Sequence, residues 1–263
     1  MKIKVTLFIF LVLCSFGVGF NAKSAAEKTS IFLIPHPDDE MFMAGQIVLK
    51  KQAGENVEVI LFTDGSASNA RTVINGDKYC YLHNRIHKLA EEGYKKLSKK
   101  DLTVARLKEW KASLAHLGVK SADILYAPSI GLTSTPNLFV DHTLTVEQAA
   151  GIISEADSRW PEAEYYTLSG GIDGNLSHPD HAAISSALQG WIEKERSHFF
   201  TDDPSTGWEI ELPLAIAKQK RTALREYYYW SPARKRFAVG AHSVKLSLDH
   251  WLKESNEYVL PEN

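Results

Sequence analysis

The fold class this sequence predicts is α/β, a three-layer sandwich built on a mainly parallel sheet. Short apolar runs recur at 31–34, 57–62, 123–126 and 165–168, and longer segments with a helical apolar period lie between them. Strands alternating with helices require crossover connections, which give a parallel sheet covered on both faces. A third observation concerns chemistry. Histidine- and aspartate-bearing segments follow the first and fourth strands, at the carboxyl ends where open α/β sheets bind ligands.

The elements follow in chain order. Lys2 and Lys4 precede an apolar stretch from Val5 to Phe20, and small residues follow at Ala22, Ser24, Ala25 and Ala26. This order reads as a secretory signal peptide over 1–26, with cleavage after Ser24 or Ala26. The stretch is shorter than the roughly 20 apolar residues of a membrane span. The expectation is an exported protein, periplasmic or secreted, with a single domain over 27–263. Ser30 to Ile34 reads as the first buried strand, and Glu40 to Ala53 as a helix ending near Gly54. Val57 to Phe62 is the second strand, stopped by Thr63-Asp64-Gly65, and Ser66 to Tyr81 reads as a loop. Helical patterns cover Asn84 to Leu97 and Leu102 to Leu117. Asp123 to Tyr126 is the third strand, Thr145 to Trp160 a helix, and Tyr165 to Leu168 the fourth strand. Pro179 to Arg196 reads as a helix, and so does Ala215 to Tyr229 in the less regular final part. The run Tyr227-Tyr228-Tyr229-Trp230 is expected to pack in the core or at an edge.

Composition excludes several classes. A formal charge of −2, with basic and acidic residues balanced, argues against a nucleic-acid binder. Cys80 is the single cysteine of the predicted domain, so no internal disulfide forms and a passive thiol is expected. No Gly-x-Gly-x-x-Gly follows the first strand, which removes the usual dinucleotide cradle.

In its place stands Pro35-His36-Pro37-Asp38-Asp39-Glu40, and far downstream Ser177-His178-Pro179-Asp180-His181. Each has a bland reading. Asp38 or Asp39 could cap the helix near Glu40. Pro179 and Asp180 suit a helix start, with two incidental histidines. Capping needs only one carboxylate, however, and adjacent aspartates repel unless a cation or shared proton relieves them. His178 and His181, three apart, share a helix face. Catalytic zinc commonly takes three protein ligands and leaves a position for water, and His36, Asp39 and His181 are the natural set. Asp38 is then free as general base, and His178 to stabilise an oxyanion or donate a proton. Asp180 could hold His178 in its working orientation, while Glu40 supports the helix start. One Zn2+ per chain is expected; Fe2+ is compatible with the same donors.

These blocks resemble the LmbE-like, or PIG-L-type, zinc-dependent N-deacetylases, a family that includes deacetylases of N-acetylglucosaminyl-phosphatidylinositol and of the sugar precursors of mycothiol and bacillithiol. Thr63-Asp64-Gly65 resembles the family's second-strand turn, and Arg106-x-x-Glu109 before Leu117-Gly118-Val119 its Arg-x-x-Glu helix. The resemblance implies a Rossmann-like sandwich with its metal at the carboxyl ends of the strands. It implies that His36, Asp39 and His181 bind zinc, that Asp38 is the general base, and that His178 assists at the carbonyl. Two departures bear on substrate. The turn after the third strand, Ala127-Pro128-Ser129-Ile130-Gly131, has no acid, and Leu176 stands where some bacterial members have tyrosine. Asn69, Arg71 and Arg106 are candidates for substrate contact, with surface or ion-pair roles as the alternative.

The expected function is removal of an N-acetyl group from an N-acetylglucosamine-containing glycan or glycolipid. Membrane contact would come only through the signal peptide or a lipid-linked substrate. The alternatives are a zinc amidohydrolase acting on a non-sugar amide, a non-catalytic carbohydrate-binding protein of the same fold, and a nucleotide-binding α/β protein. Activity on N-acetyl sugars with loss on chelation separates the first from the leading reading. Decay of ligands or base would mark the second, and tight nucleotide binding without metal the third.

Overall fold

The computed structural model describes residues 28–127, 132–134, 136–170 and 178–261. The predicted signal peptide, residues 128–131 of the third-strand turn, and Leu176 lie outside the described residues. Among those described, no helix is long and apolar enough to cross a membrane.

Strands β1 (Thr29–Ile34), β2 (Asn56–Leu61), β3 (Ile124–Tyr126), β4 (Glu164–Leu168) and β5 (Ser197–Thr201) pair in parallel in the order β3-β2-β1-β4-β5. The sheet continues as β9 (Asn256–Val259), antiparallel to β5, and then β6 (Trp208–Glu211), antiparallel to β9. A two-stranded ribbon, β7 (Trp230–Ser231) and β8 (Arg236–Phe237), stands apart. The helices are α1 (Ala44–Gln52), α2 (Ala70–Ile74), α3 (Lys99–His116), α4 (Val146–Arg159), α5 (Pro179–Trp191), α6 (Leu214–Leu224), α7 (Val239–Ser243) and α8 (Lys245–Trp251).

Alternation along the strands builds two cores. Phe32 and Ile34 of β1 face one way, into a cluster with Ile47 of α1, Trp110 of α3 and Ala217 of α6. Ile31 and Leu33 face the other way, against Ile153 of α4 and Ile184 of α5. Each side therefore removes a full apolar helix face from water, worth about 25 cal/mol per Å². A smaller cluster of Ala70, Ile74, Leu102 and Val239 joins α2, α3 and α7.

The expected mainly parallel sheet is present, but several elements differ from the sequence reading. The predicted first helix is split into a 3-10 turn (Asp39–Phe42) and α1, with no side-chain cap on the turn. The predicted helix over Asn84 to Leu97 is a string of turns tied by a bridge between Cys80 and Arg85. Asn84 (φ 54°) and Gly93 (φ 76°) hold left-handed conformations that no right-handed helix accepts. The helix predicted to reach Arg196 ends at Trp191, and the polar–aromatic stretch after it forms β5.

Candidate active site

The chain leaves β1 through a tight turn, in which the backbone N–H groups of Asp38 and Asp39 donate to the His36 carbonyl at 2.9 and 3.1 Å. The turn sends the Asp39 carboxylate back toward the strand, where Oδ2 accepts from the His36 backbone N–H at 2.8 Å. The same oxygen lies 2.9 Å from His36 Nδ1. From the far side of β4, the first turn of α5 brings in His181, whose Nε2 is 3.1 Å from His36 Nδ1 and 3.0 Å from Asp39 Oδ2. Three donor atoms thus form a nearly equilateral triangle across the β1/β4 boundary. The strand order reverses there, the crevice where such sheets take ligands.

His36 Nε2 points the opposite way, 3.2 Å from Asp180 Oδ2 and 3.2 Å from Asp141 Oδ1. With Nε2 held by Asp180, Nδ1 faces the triangle, and a metal binding there would take the place of its proton, the carboxylate–histidine arrangement found behind metal ligands. Asp180 is itself fixed by the backbone N–H groups of His142 (2.8 Å) and Leu144 (3.2 Å). Asp180 was expected to orient His178. Its carboxylate is 3.9 Å from His178 Nδ1, too far for a hydrogen bond, and it serves His36 instead. His178 is the N-cap of α5, where its Nδ1 accepts the backbone N–H of Asp180 at 3.2 Å. Its remaining ring proton therefore sits on Nε2, 3.1 Å from His142 Nε2.

Charge defines what this site accepts. Four buried carboxylates, on Asp38, Asp39, Asp141 and Asp180, face one buried guanidinium, that of Arg106. Burial alone would lower the affinity of His36 for a proton, yet Asp39, Asp141 and Asp180 together hold its pKa well above the ordinary value. Burial likewise opposes charge on Asp39, and the two histidines beside it hold it well below the usual carboxylate range. The site attracts positive charge strongly, and its imidazole and carboxylate donors suit a divalent transition metal. Tetrahedral zinc with bonds of about 2.0–2.1 Å separates its ligands by about 3.3 Å. The observed triangle needs only slight opening to match.

Asp38 stands beside that triangle in a conformation rare outside glycine (φ 155°). Arg106 of α3 grips it with Nη2 at 2.8 and 2.7 Å from its two oxygens, while Nε donates to the Pro37 carbonyl and Nη1 to that of Gly65. Gly65 is obligatory: its φ is +58°, and a Cβ there would come within 2.1 Å of Arg106 Nη1. Burial pushes the Asp38 carboxyl up to about 6 even against the pull of Arg106. Arg106 is thus engaged with Asp38, and it also lines the cleft.

A cleft of about 300 Å³ lies over these groups. Asn69, Ala67 and Ser68 form one wall, His142 and His178 another, and Ser243 and Val244 a third. Arg71 does not line it, whereas Asn69 does, so the structure brings only one of these two candidates to the site. Glu40 is buried away from the cleft and accepts from Ser113 Oγ (2.6 Å) and Tyr227 OH (2.5 Å), a structural place as expected. Sequence reasoning missed Asp141 and His142. They sit on an irregular segment that Phe139 pins to the end of β2, and Asp64 Oδ1 accepts the backbone N–H of Asp141 at 3.0 Å. Asp141 supplies the site with an acid that the turn at 127–131 lacks. The only hint was an Asp-His pair, one of three in the sequence.

The PIG-L family model, described as GlcNAc-PI de-N-acetylase, matches residues 31–192, well over half of the chain. No curated protein sequence matches. Among solved structures, a teicoplanin deacetylase in its zinc-inhibited form is 15% identical, with a TM-score of 0.58 over 89% of this chain and 97% of its own. The N,N'-diacetylchitobiose deacetylase of Pyrococcus horikoshii, complexed with an inhibitor, is 16% identical, with a TM-score of 0.57 over 90% and 85%. The 4-carboxy-2-hydroxymuconate hydratase of Pseudomonas putida KT2440 is 11% identical, with a TM-score of 0.50 over 89% and 94%. At such identities the likeness concerns the fold, and the hydratase shows that this fold hosts more than one reaction.

Proposed function

The chain belongs to the PIG-L family, and from that premise we propose that it is a metal-dependent de-N-acetylase of an N-acetylglucosamine-containing glycan or glycolipid. The observation that carries the reading is the convergence of His36 Nδ1, Asp39 Oδ2 and His181 Nε2 within 2.9–3.1 Å beside a clamped, buried Asp38. In this reading those three residues hold one zinc ion. A zinc ion held there supplies Lewis acidity toward water and the acetyl carbonyl.

The chain's own residues do the rest. Asp38, with its carboxyl near 6, is ionised at neutral pH yet basic enough to take a proton from the attacking water. Arg106 is its positioning residue. His178 is neutral, because burial and the neighbouring histidines His36 and His181 push its pKa down to about 4. From Nε2 it donates a hydrogen bond to the oxygen that becomes an oxyanion as water adds to the carbonyl carbon. The C–N bond then breaks, the proton held by Asp38 passes to the departing amine, and acetate and a free amino sugar remain. Asp141 and Asp180 hold His36, and the cleft's volume suits a single sugar ring at the reacting end of the substrate. The amino-terminal charge and hydropathy pattern supports export, which would bring the enzyme to envelope or extracellular sugars.

The test is acetate release from a panel of N-acetylglucosamine-containing glycans and glycolipids, using protein of assayed metal content. Release that stops on chelation and returns with Zn2+ is expected. Asp38→Asn should lower kcat by about 10²–10⁴-fold with metal content unchanged. Release from non-sugar amides alone would overturn the substrate class, and an active Asp38→Asn enzyme would overturn the mechanism.

A further inference from the structure

A second cluster of metal-ligating side chains lies outside the cleft and plays no part in the reaction above. Cys80, His83 and His87 come from the loop between α2 and α3, and His242 from α7. Cys80 Sγ is 3.4 Å from His83 Nδ1 and 3.2 Å from His242 Nε2, and His83 Nδ1 is 3.3 Å from His87 Nε2. All four atoms lie within 4.8 Å of one another. Tetrahedral zinc, with bonds of about 2.3 Å to sulphur and 2.0–2.1 Å to nitrogen, separates its ligands by about 3.3–3.6 Å. The Cys80–His83 and His83–His87 contacts already have that spacing, and Cys80–His242, at 3.2 Å, needs only slight opening.

The surroundings set the rings for such a role. His87 Nδ1 donates to Glu92 Oε2 at 3.0 Å, and His242 Nδ1 donates to the Ala238 carbonyl at 2.8 Å. Each ring, proton outward, turns the lone pair of Nε2 into the cluster, the tautomer a metal needs. Cys80 is fully buried, and its sulphur receives the backbone N–H of His83 at 3.3 Å. Trp230 closes one side, stacked on His87 with centroids 4.6 Å apart.

We propose that Cys80, His83, His87 and His242 form a second zinc site, structural in role. Four protein ligands leave no open position for water or substrate, which distinguishes a structural centre from a catalytic one. Binding converts the Cys80 thiol to thiolate and releases its proton to solvent. The ion staples the loop that carries Cys80 to α7. The next residue on α7 after His242 is Ser243, which lines the cleft and hydrogen-bonds Ser68 Oγ at 2.8 Å. The staple therefore braces one wall of the cleft from behind. Cys-x-x-His-x-x-x-His is its local signature, completed from a distant segment.

Cobalt(II) titration of the metal-stripped full chain tests this, because a thiolate–cobalt charge-transfer band in the near ultraviolet requires a sulphur ligand, and His36, Asp39 and His181 offer none. The expected result is two cobalt ions per chain with that band. In Cys80→Ser the band is lost and one ion remains; in His36→Ala the band persists and the other ion is lost. The titration of the unaltered protein does not depend on any variant folding. One ion per chain with no band overturns the proposal and leaves a hydrogen-bonded quartet, thiol to His242 and His83 to His87. The catalytic reading would survive that outcome, since its own metal is lost only in the His36→Ala variant.

Discussion

The carboxylates lining the cleft and behind it share a functional group and differ in neighbours, and their tasks differ accordingly. Asp39 faces two imidazoles, Asp38 a guanidinium, Asp180 the back of His36, and Glu40 two hydroxyls. Asp180→Asn should weaken metal binding about 10–100-fold, because the His36 ring loses its orienting acceptor. Competition with a chelator of known affinity measures this, and unchanged affinity would return Asp180 to His178. Glu40 gives a pH prediction. Burial pushes its carboxyl up to about 8 from an ordinary 4.5. The folded state then binds the proton that the unfolded state releases. The stability contributed by neutral Glu40 is full below pH 4.5 and falls as pH rises toward 8, by up to about 1.4 kcal/mol per unit. Glu40→Gln mimics the neutral form, so urea denaturation should show its stability relative to the unaltered protein growing between pH 5 and 8. The two histidine blocks were legible from sequence because their spacing and their place at strand ends coincide. Asp141, His142 and the partnership of Cys80 with His242 were not, because irregular loops leave no periodicity and His242 is far away in sequence.

Helices and strands were legible where apolar period and burial agree, as in β1, β2 and α4, whose Thr145 and Gln148 also form a capping box. They were misread where local turns override period, as at 84–97, and a strand as short as β9, with four residues, carried too little pattern to be read at all. Glu257 of β9 accepts the backbone N–H groups of Gly45 (2.6 Å) and Gln46 (2.9 Å), capping α1 from across the molecule. Lys220 of α6 pairs with it at 3.1 Å, both side chains fully buried. Lys220→Met leaves that carboxylate buried without a countercharge and should cost about 3–5 kcal/mol. The double variant with Glu257→Gln should recover much of the loss. Equal losses in thermal denaturation for single and double variants would refute the pairing argument.

For the whole molecule, the site joins two halves of the sheet, His36 and Asp39 from the β1 side and His181 from the β4 side. Metal that binds only this joined state stabilises the fold by mass action. A free Zn2+ concentration about 100 times the dissociation constant should add about 2.7 kcal/mol. The midpoint of thermal unfolding should rise with Zn2+, fall with chelator, and respond less in Asp39→Asn. An unresponsive midpoint would mean that the halves meet without help from the ion.

The position of β9 has a consequence for biosynthesis. It lies between β5 and β6, although both precede it in the chain. A nascent chain emerging from the ribosome has both of those strands before it has the one that joins them. Until residues 256–259 arrive, each presents an unpaired backbone edge, the kind of surface that recruits other chains into aggregates. Premature termination upstream of β9 would thus open the sheet from within, and the quality of the product depends on residues 256–259 being made.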